Sequence, residues 1–175
     1  MLRHWIKRRL KAFERRTGES TAYVEEMMRH TPAGFRRFAL FLPLTAFHRA
    51  LPKDAYHLAR VATIRHEDCG PCLQTVVRMA FEDGVPRDWL QAVLSGHGER
   101  LPQWAQVLLP FTEAVLDNSA QLPALQLSMA GHFDEAQLAE LALVIASVRV
   151  FPTVKRAMGH ALSCSLVKLE LDHAA

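Results

Sequence analysis

HLARVATIRHEDCGPCLQTVVRMAFEDG, residues 57–84, is the stretch whose reading decides the fold. Upstream of its cysteines, Ala55, Leu58, Ala59 and Ala62 recur at three- and four-residue spacing, which lines one face of a helix over 52–65. Downstream, Asp68 is a capping residue type, Pro71 is tolerated in a first turn and Gly84 suits a helix end. A second helix is therefore expected over 68–83. The same period extends outward. Leu2, Trp5, Ile6, Leu10 and Phe13 mark a helix before it, Val24, Met27 and Met28 another after a Ser20/Thr21 start, and Phe35, Phe38, Ala39 and Leu42 a third. Beyond Gly84, a short helix restarts at Val85-Pro86-Arg87-Asp88 and another covers 101–116. Asp134 caps a long one over 135–150, striped by Leu138, Leu141, Ala142 and Ile145, and Pro152 begins the last. Prolines 32, 43, 52, 71, 86, 102, 110, 123 and 152 punctuate the chain into helix-length segments, and no convincing run alternates with period two. The expectation is an all-α, single-domain bundle, with residues 1–30 a basic helical extension and residues 31–175 the bundle proper.

At 175 residues, 50% hydrophobic and 22% charged, the chain holds enough apolar side chain to offset the entropy of ordering one core, which excludes wholesale disorder. No uninterrupted apolar run approaches the ~20 residues of a membrane span, so a soluble or at most peripheral protein is expected. The opening MLRHWIKRRLKAFERR scatters cations among its apolar residues and contains no apolar h-region, so it does not read as a secretory signal. Three cysteines make no disulfide framework, and a reducing cytoplasm is expected. The net charge of +3 is unevenly spread: residues 1–16 hold seven Lys/Arg against Glu14, so the remainder carries −3 and is no nucleic-acid surface.

Within His66-Glu67-Asp68-Cys69-Gly70-Pro71-Cys72, two cysteines three apart at a helix start can close a short disulfide or bind a metal together. Free N–H groups and the helix dipole favour the thiolate there. Glu67 and Asp68 oppose it by like charge and a protonated His66 supports it, which leaves the sign of the shift open.

With its setting, this segment resembles the core of the alkylhydroperoxidase D-like (carboxymuconolactone decarboxylase) superfamily. There a helix leads into a C-x-x-C at the start of the next, which ends at a glycine before a short helix, here Val85-Pro86-Arg87-Asp88-Trp89-Leu90. Residues 133–141, FDEAQLAEL, resemble the family's capped helix, and Lys155-Arg156-Ala157-Met158-Gly159 its following turn, so the likeness covers roughly residues 50–165. It implies a helical bundle assembled as a trimer or hexamer and thiol-dependent reduction of peroxides. Cys72 would then attack the peroxide and Cys69 would resolve the sulfenic acid as a disulfide. The resemblance also implies a proton relay: a glutamate twelve residues before the first cysteine, a histidine just before the second and a histidine four after it. This chain has His57, Pro71 and Val76 at those positions. His57 is the candidate to take over as general base, with His66 or Glu67 less direct. CGPC also occurs in thioredoxins, but the βαβ pattern around it is missing here. The expectation is a dithiol oxidoreductase using Cys69, Cys72, His57 and His66, acting on a peroxide or disulfide. It needs no bound cofactor, because an external thiol reductant can return the disulfide to dithiol.

A rival reading joins Cys69 and Cys72 to His160 and Cys164, four apart on one helix face, as a Cys3His zinc site in a non-catalytic or structural interaction module. Its long gap is unlike compact finger spacings, and Cys164 beside Ala161, Leu162 and Leu166 reads as a small core residue. The N-terminal basic amphipathic helix is suited to packing on its own subunit or a neighbour, or to an anionic membrane surface.

Overall fold

The computed structural model describes residues 2–160 of the chain. These form ten α-helices and a 3-10 turn: α1 (Leu2–Thr17), α2 (Ala22–His30), α3 (Pro32–Thr45), α4 (Lys53–His66), α5 (Gly70–Glu82), α6 (Arg87–Ser95), the turn Gly98–Arg100, α7 (Gln103–Leu116), α8 (Leu122–Met129), α9 (Glu135–Val148) and α10 (Val150–Ala157). No strand occurs among the described residues. The chain is all-α, as its periodicity requires.

Helix α4 is the axis of the bundle. Every residue from Ala55 to Ile64 is buried, not one stripe alone, because α5, α6, α7 and α9 pack around it. Ala55, Ala59 and Ala62 let those neighbours approach closely, and Leu58, Val61 and Ile64 fill the spaces between them. The prolines do three jobs. Pro52, Pro86 and Pro102 are N-caps in extended backbone, and Pro32, Pro71 and Pro123 sit in first turns, where a missing N–H costs little. Pro43 and Pro110, expected to break the chain, lie inside α3 and α7. Pro110 is on the exposed face, where a carbonyl left without its helical donor costs less than in the core, while Leu108 and Thr112 hold the helix on the core.

Asp134 caps α9 as expected. Its carboxylate accepts from the Gln137 backbone N–H at 2.8 Å, and Gln137 Oε1 accepts from the Asp134 N–H at 2.9 Å. One turn on, the buried Glu140 carboxylate accepts from the backbone N–H groups of Arg49, Ala50 and Leu51 at 2.8–2.9 Å, fixing the loop that leads into α4. The helix expected over 135–150 stops at Val148, because Pro152 has no N–H for that carbonyl. The chain turns at Arg149 and continues as α10, which brings Lys155 and Arg156 toward the cysteines. Glu135–Ala157 together is long and apolar enough to cross a membrane by length and composition, with mean hydropathy 1.5. In this fold Leu141, Val144, Ile145 and Val148 of that stretch are core residues.

Candidate active site

The site grows from the three-residue connection, Glu67, Asp68 and Cys69, between α4 and α5. Glu67 is buried, and its carboxylate is held by Arg149 Nε at 2.6 Å and Arg156 Nη2 at 2.5 Å. Arg156 Nη1 also donates to the Glu67 carbonyl at 2.7 Å. This clamp ties the turn to the α9–α10 junction and neutralises the acid that, from sequence, opposed a thiolate. Asp68 adopts φ +50, a left-handed conformation that costs a non-glycine residue about 1–2 kcal/mol. It is therefore not the helix cap; that position passes to Cys69, whose carbonyl accepts from the Leu73 N–H at 2.8 Å.

Cys69 and Cys72 are unbridged thiols, both buried. Cys72 S–H donates to Cys69, and this hydrogen bond, stronger than the opposing desolvation, brings the Cys69 thiol down to about 7. The Cys72 backbone N–H and the Arg156 charge act in the same direction, although no cap hydrogen bond closes, while Asp68 opposes them. The same shared proton, together with burial, holds the Cys72 thiol well above the ordinary range. The pair thus carries one negative charge near neutral pH and titrates as a unit.

A second group of side chains closes on Cys72 from α10 and from the segment entering α2. Lys155 Nζ donates to Cys72 Sγ at 3.9 Å, pairs with the Glu19 carboxylate, and stands 5.6 Å from the centroid of the Tyr23 ring. Lys155, Glu19 and Tyr23 are all buried. Burial pulls the Lys155 ammonium below its ordinary pKa, toward the range in which it can give up a proton. Burial first, then the nearby sulfur charges, pushes the Tyr23 hydroxyl up, so it stays protonated.

Cys72 opens onto a cavity of about 930 Å³ between the bundle and the cover formed by α1, α2 and α3. Its α5 wall is Cys72, Thr75, Val76 and Met79, one helix face at i, i+3, i+4 and i+7. Ile6, Leu10 and Phe13, the stripe of the basic helix, line the opposite side. Cys69 takes no part in the wall, so of the two sulfurs, which are about equally buried, Cys72 is the one that borders this cavity.

The structure brings together Cys69 and Cys72 of the expected residues, but neither histidine. His57 Nε2 lies 2.9 Å from Asp83 Oδ2, at the far end of α5, about 16 Å along that helix from Cys72. Its ring is 1% exposed, and burial, followed by the Arg60 charge, lowers it to about 4, so it is a neutral packed histidine. His66 turns to Asp117 at the end of α7, at 2.7 Å. Val76, at the expected relay position, is a buried wall residue. Of the rival zinc set, His160 lies 2.6 Å from Glu26, and Cys164 falls outside the described residues. No three His, Cys, Asp or Glu side chains gather to hold a metal among the described residues.

Sequence reasoning missed Lys155, Glu19 and Tyr23. Residues 19 and 23 fall in the segment read as an extension, and no spacing rule links them to position 155. The only signal was Lys155-Arg156 itself, two cations in a last helical turn. Comparison with protein-family models, with curated proteins and with solved structures finds no match.

Proposed function

We propose that Cys69 and Cys72 are a redox-active pair that reduces a peroxide, with dithiol–disulfide exchange as the related activity, on a bundle of the alkylhydroperoxidase D-like type. The observation that carries this reading is a buried, mutually hydrogen-bonded thiol pair. One sulfur of that pair faces a cavity and lies 3.9 Å from an ammonium group.

The Cys69 thiolate takes the proton of Cys72, and the resulting Cys72 thiolate, facing Lys155, attacks the terminal peroxide oxygen. The O–O bond breaks, the alkoxide takes a proton from Lys155 and leaves as an alcohol, and Cys72 becomes a sulfenic acid. Cys69, deprotonated again, attacks Cys72. The S–S bond forms and hydroxide leaves to be protonated as water. Two thiols supply the two electrons, and an external dithiol of the same compartment, a reducing cytoplasm, restores the pair. Lys155 and Glu19 here stand in for the family's glutamate–histidine relay. Assembly into a homo-oligomer belongs to the same proposal and draws support from exposed Leu40, Leu42, Leu44 and Phe47 in and just after α3.

The test is intact-mass and thiol counting on metal-free protein with stoichiometric peroxide, in a Cys164→Ser background. A rapid Cys69–Cys72 disulfide, arrested as a sulfenic acid on Cys72 in Cys69→Ser, is expected. Oxidation at the slow rate of free cysteine would overturn peroxide reduction.

A further inference from the structure

The cavity holds a second chemical feature that the thiol reaction does not use. Arg60, on α4, lines it and is only 7% exposed. A buried guanidinium ordinarily lies against a carboxylate, because an unpaired charge is costly to desolvate. Arg60 forms no ion pair with any described residue. Its Nη2 donates to Met79 Sδ at 3.7 Å, its Cζ stands 4.9 Å from the Tyr56 ring centroid, and its Nε is buried without a hydrogen bond. Asp83, whose charge reaches it, binds His57 instead.

The charges of the whole wall point the same way. Of the two buried cations in the wall, Lys155 is paired with Glu19, the wall's single carboxylate, which leaves none there for Arg60. The remaining wall is overwhelmingly apolar, and its volume falls within the range of about 300–1,000 Å³ usual for small-molecule sites. Met79, against Arg60, and Cys72 lie on one face of α5, about 10 Å apart along its axis.

We infer that this cavity binds a long-chain monocarboxylate, its carboxylate held by Arg60 and its acyl chain laid along Met79 and Val76 toward Cys72. A neutral or cationic amphiphile leaves the guanidinium buried and unpaired, and a small inorganic anion leaves the apolar wall unfilled. Bidentate pairing with a carboxylate satisfies the guanidinium and removes its desolvation penalty. In one respect the inference rests on the proposed thiol chemistry: a hydroperoxide several carbons from the carboxylate would meet the Cys72 sulfur, making chain-hydroperoxidised long-chain carboxylates the substrate class.

Calorimetric titration of the reduced full chain with dodecanoate, 1-dodecanol and dodecyltrimethylammonium tests the head-group preference without peroxide. One dodecanoate per chain is expected, bound at least about tenfold more tightly than the alcohol. Arg60→Gln should abolish that preference while leaving the alcohol's affinity unchanged, and Arg60→Lys should keep part of it. Equal binding of dodecanoate and dodecanol, or an undiminished preference in Arg60→Gln, overturns the inference. Should Arg60→Gln fail to fold, the three head groups on the parent chain and the Arg60→Lys variant decide it. Binding is read apart from turnover, so inactive thiols with intact dodecanoate binding defeat only the redox reading. Active thiols without the preference defeat only this one.

Discussion

Each sulfur of the pair owes its state to the other. The first cause of the lowered Cys69 thiol is the hydrogen bond from Cys72, so replacing the donor should matter more than replacing any charge. In Cys72→Ala, the Cys69 pKa should rise from about 7 toward the ordinary thiol value, read from thiolate absorbance or from the pH dependence of alkylation in a Cys164→Ser background. An unchanged midpoint would show that Arg156 and the helix terminus set it instead. Lys155 acts on the other sulfur. Removing it alone leaves Glu19 buried and unpaired, which costs about 3–5 kcal/mol and confuses folding with chemistry. The informative variant is therefore Lys155→Met with Glu19→Gln. It should fold and form a disulfide with an added oxidant, but its reaction with peroxide should slow by about 10²–10⁴-fold, the usual contribution of a positioned proton donor. A rate equal to that of the parent chain removes Lys155 from the mechanism.

At the scale of the elements, α4 and α5 show how much the sequence conveyed. Their existence, their near-exact extents and the glycine stop at Gly84 were legible, because apolar period, prolines and glycines are local signals. The break before Pro152 was legible too, to within two residues, but the positive φ of Asp68 was not, since it answers to distant partners, the Arg149 and Arg156 clamp on Glu67. The same limit explains His57. Its position in the chain suggested a relay group, but helical geometry carries it to the C-terminal end of α5, away from the cysteines. There it makes a different prediction. Its pKa is lowered to about 4 in the folded chain and is near 6.5 when unfolded, so the unfolded chain binds more protons between those values. Stability from this residue is therefore complete above about pH 6.5 and is lost as the pH falls toward 4, by at most about 3 kcal/mol. Denaturant titrations across that window should show a steeper acid loss in the parent chain than in His57→Gln. Parallel curves would mean that His57 is not buried neutral.

For the molecule as a whole, the cavity and its buried arginine, Arg60, set function against stability. A close-packed bundle of this size has no structural need for about 930 Å³ of space beside an unpaired buried cation. Such a feature weakens the fold unless a ligand occupies it, and it persists where binding uses it. Arg60→Met keeps the length and apolar stem of the side chain and removes the charge. It should stabilise the ligand-free protein by about 1–2 kcal/mol, or roughly 2–8 °C in Tm. Dodecanoate should narrow or reverse the ranking, raising the Tm of the parent chain through mass action by more than it raises that of Arg60→Met. The two effects must appear together if the arginine is held for a carboxylate. A lower Tm in Arg60→Met without ligand would mean that the guanidinium already has a partner in solution, and the cavity would then lose its claim to an anionic occupant.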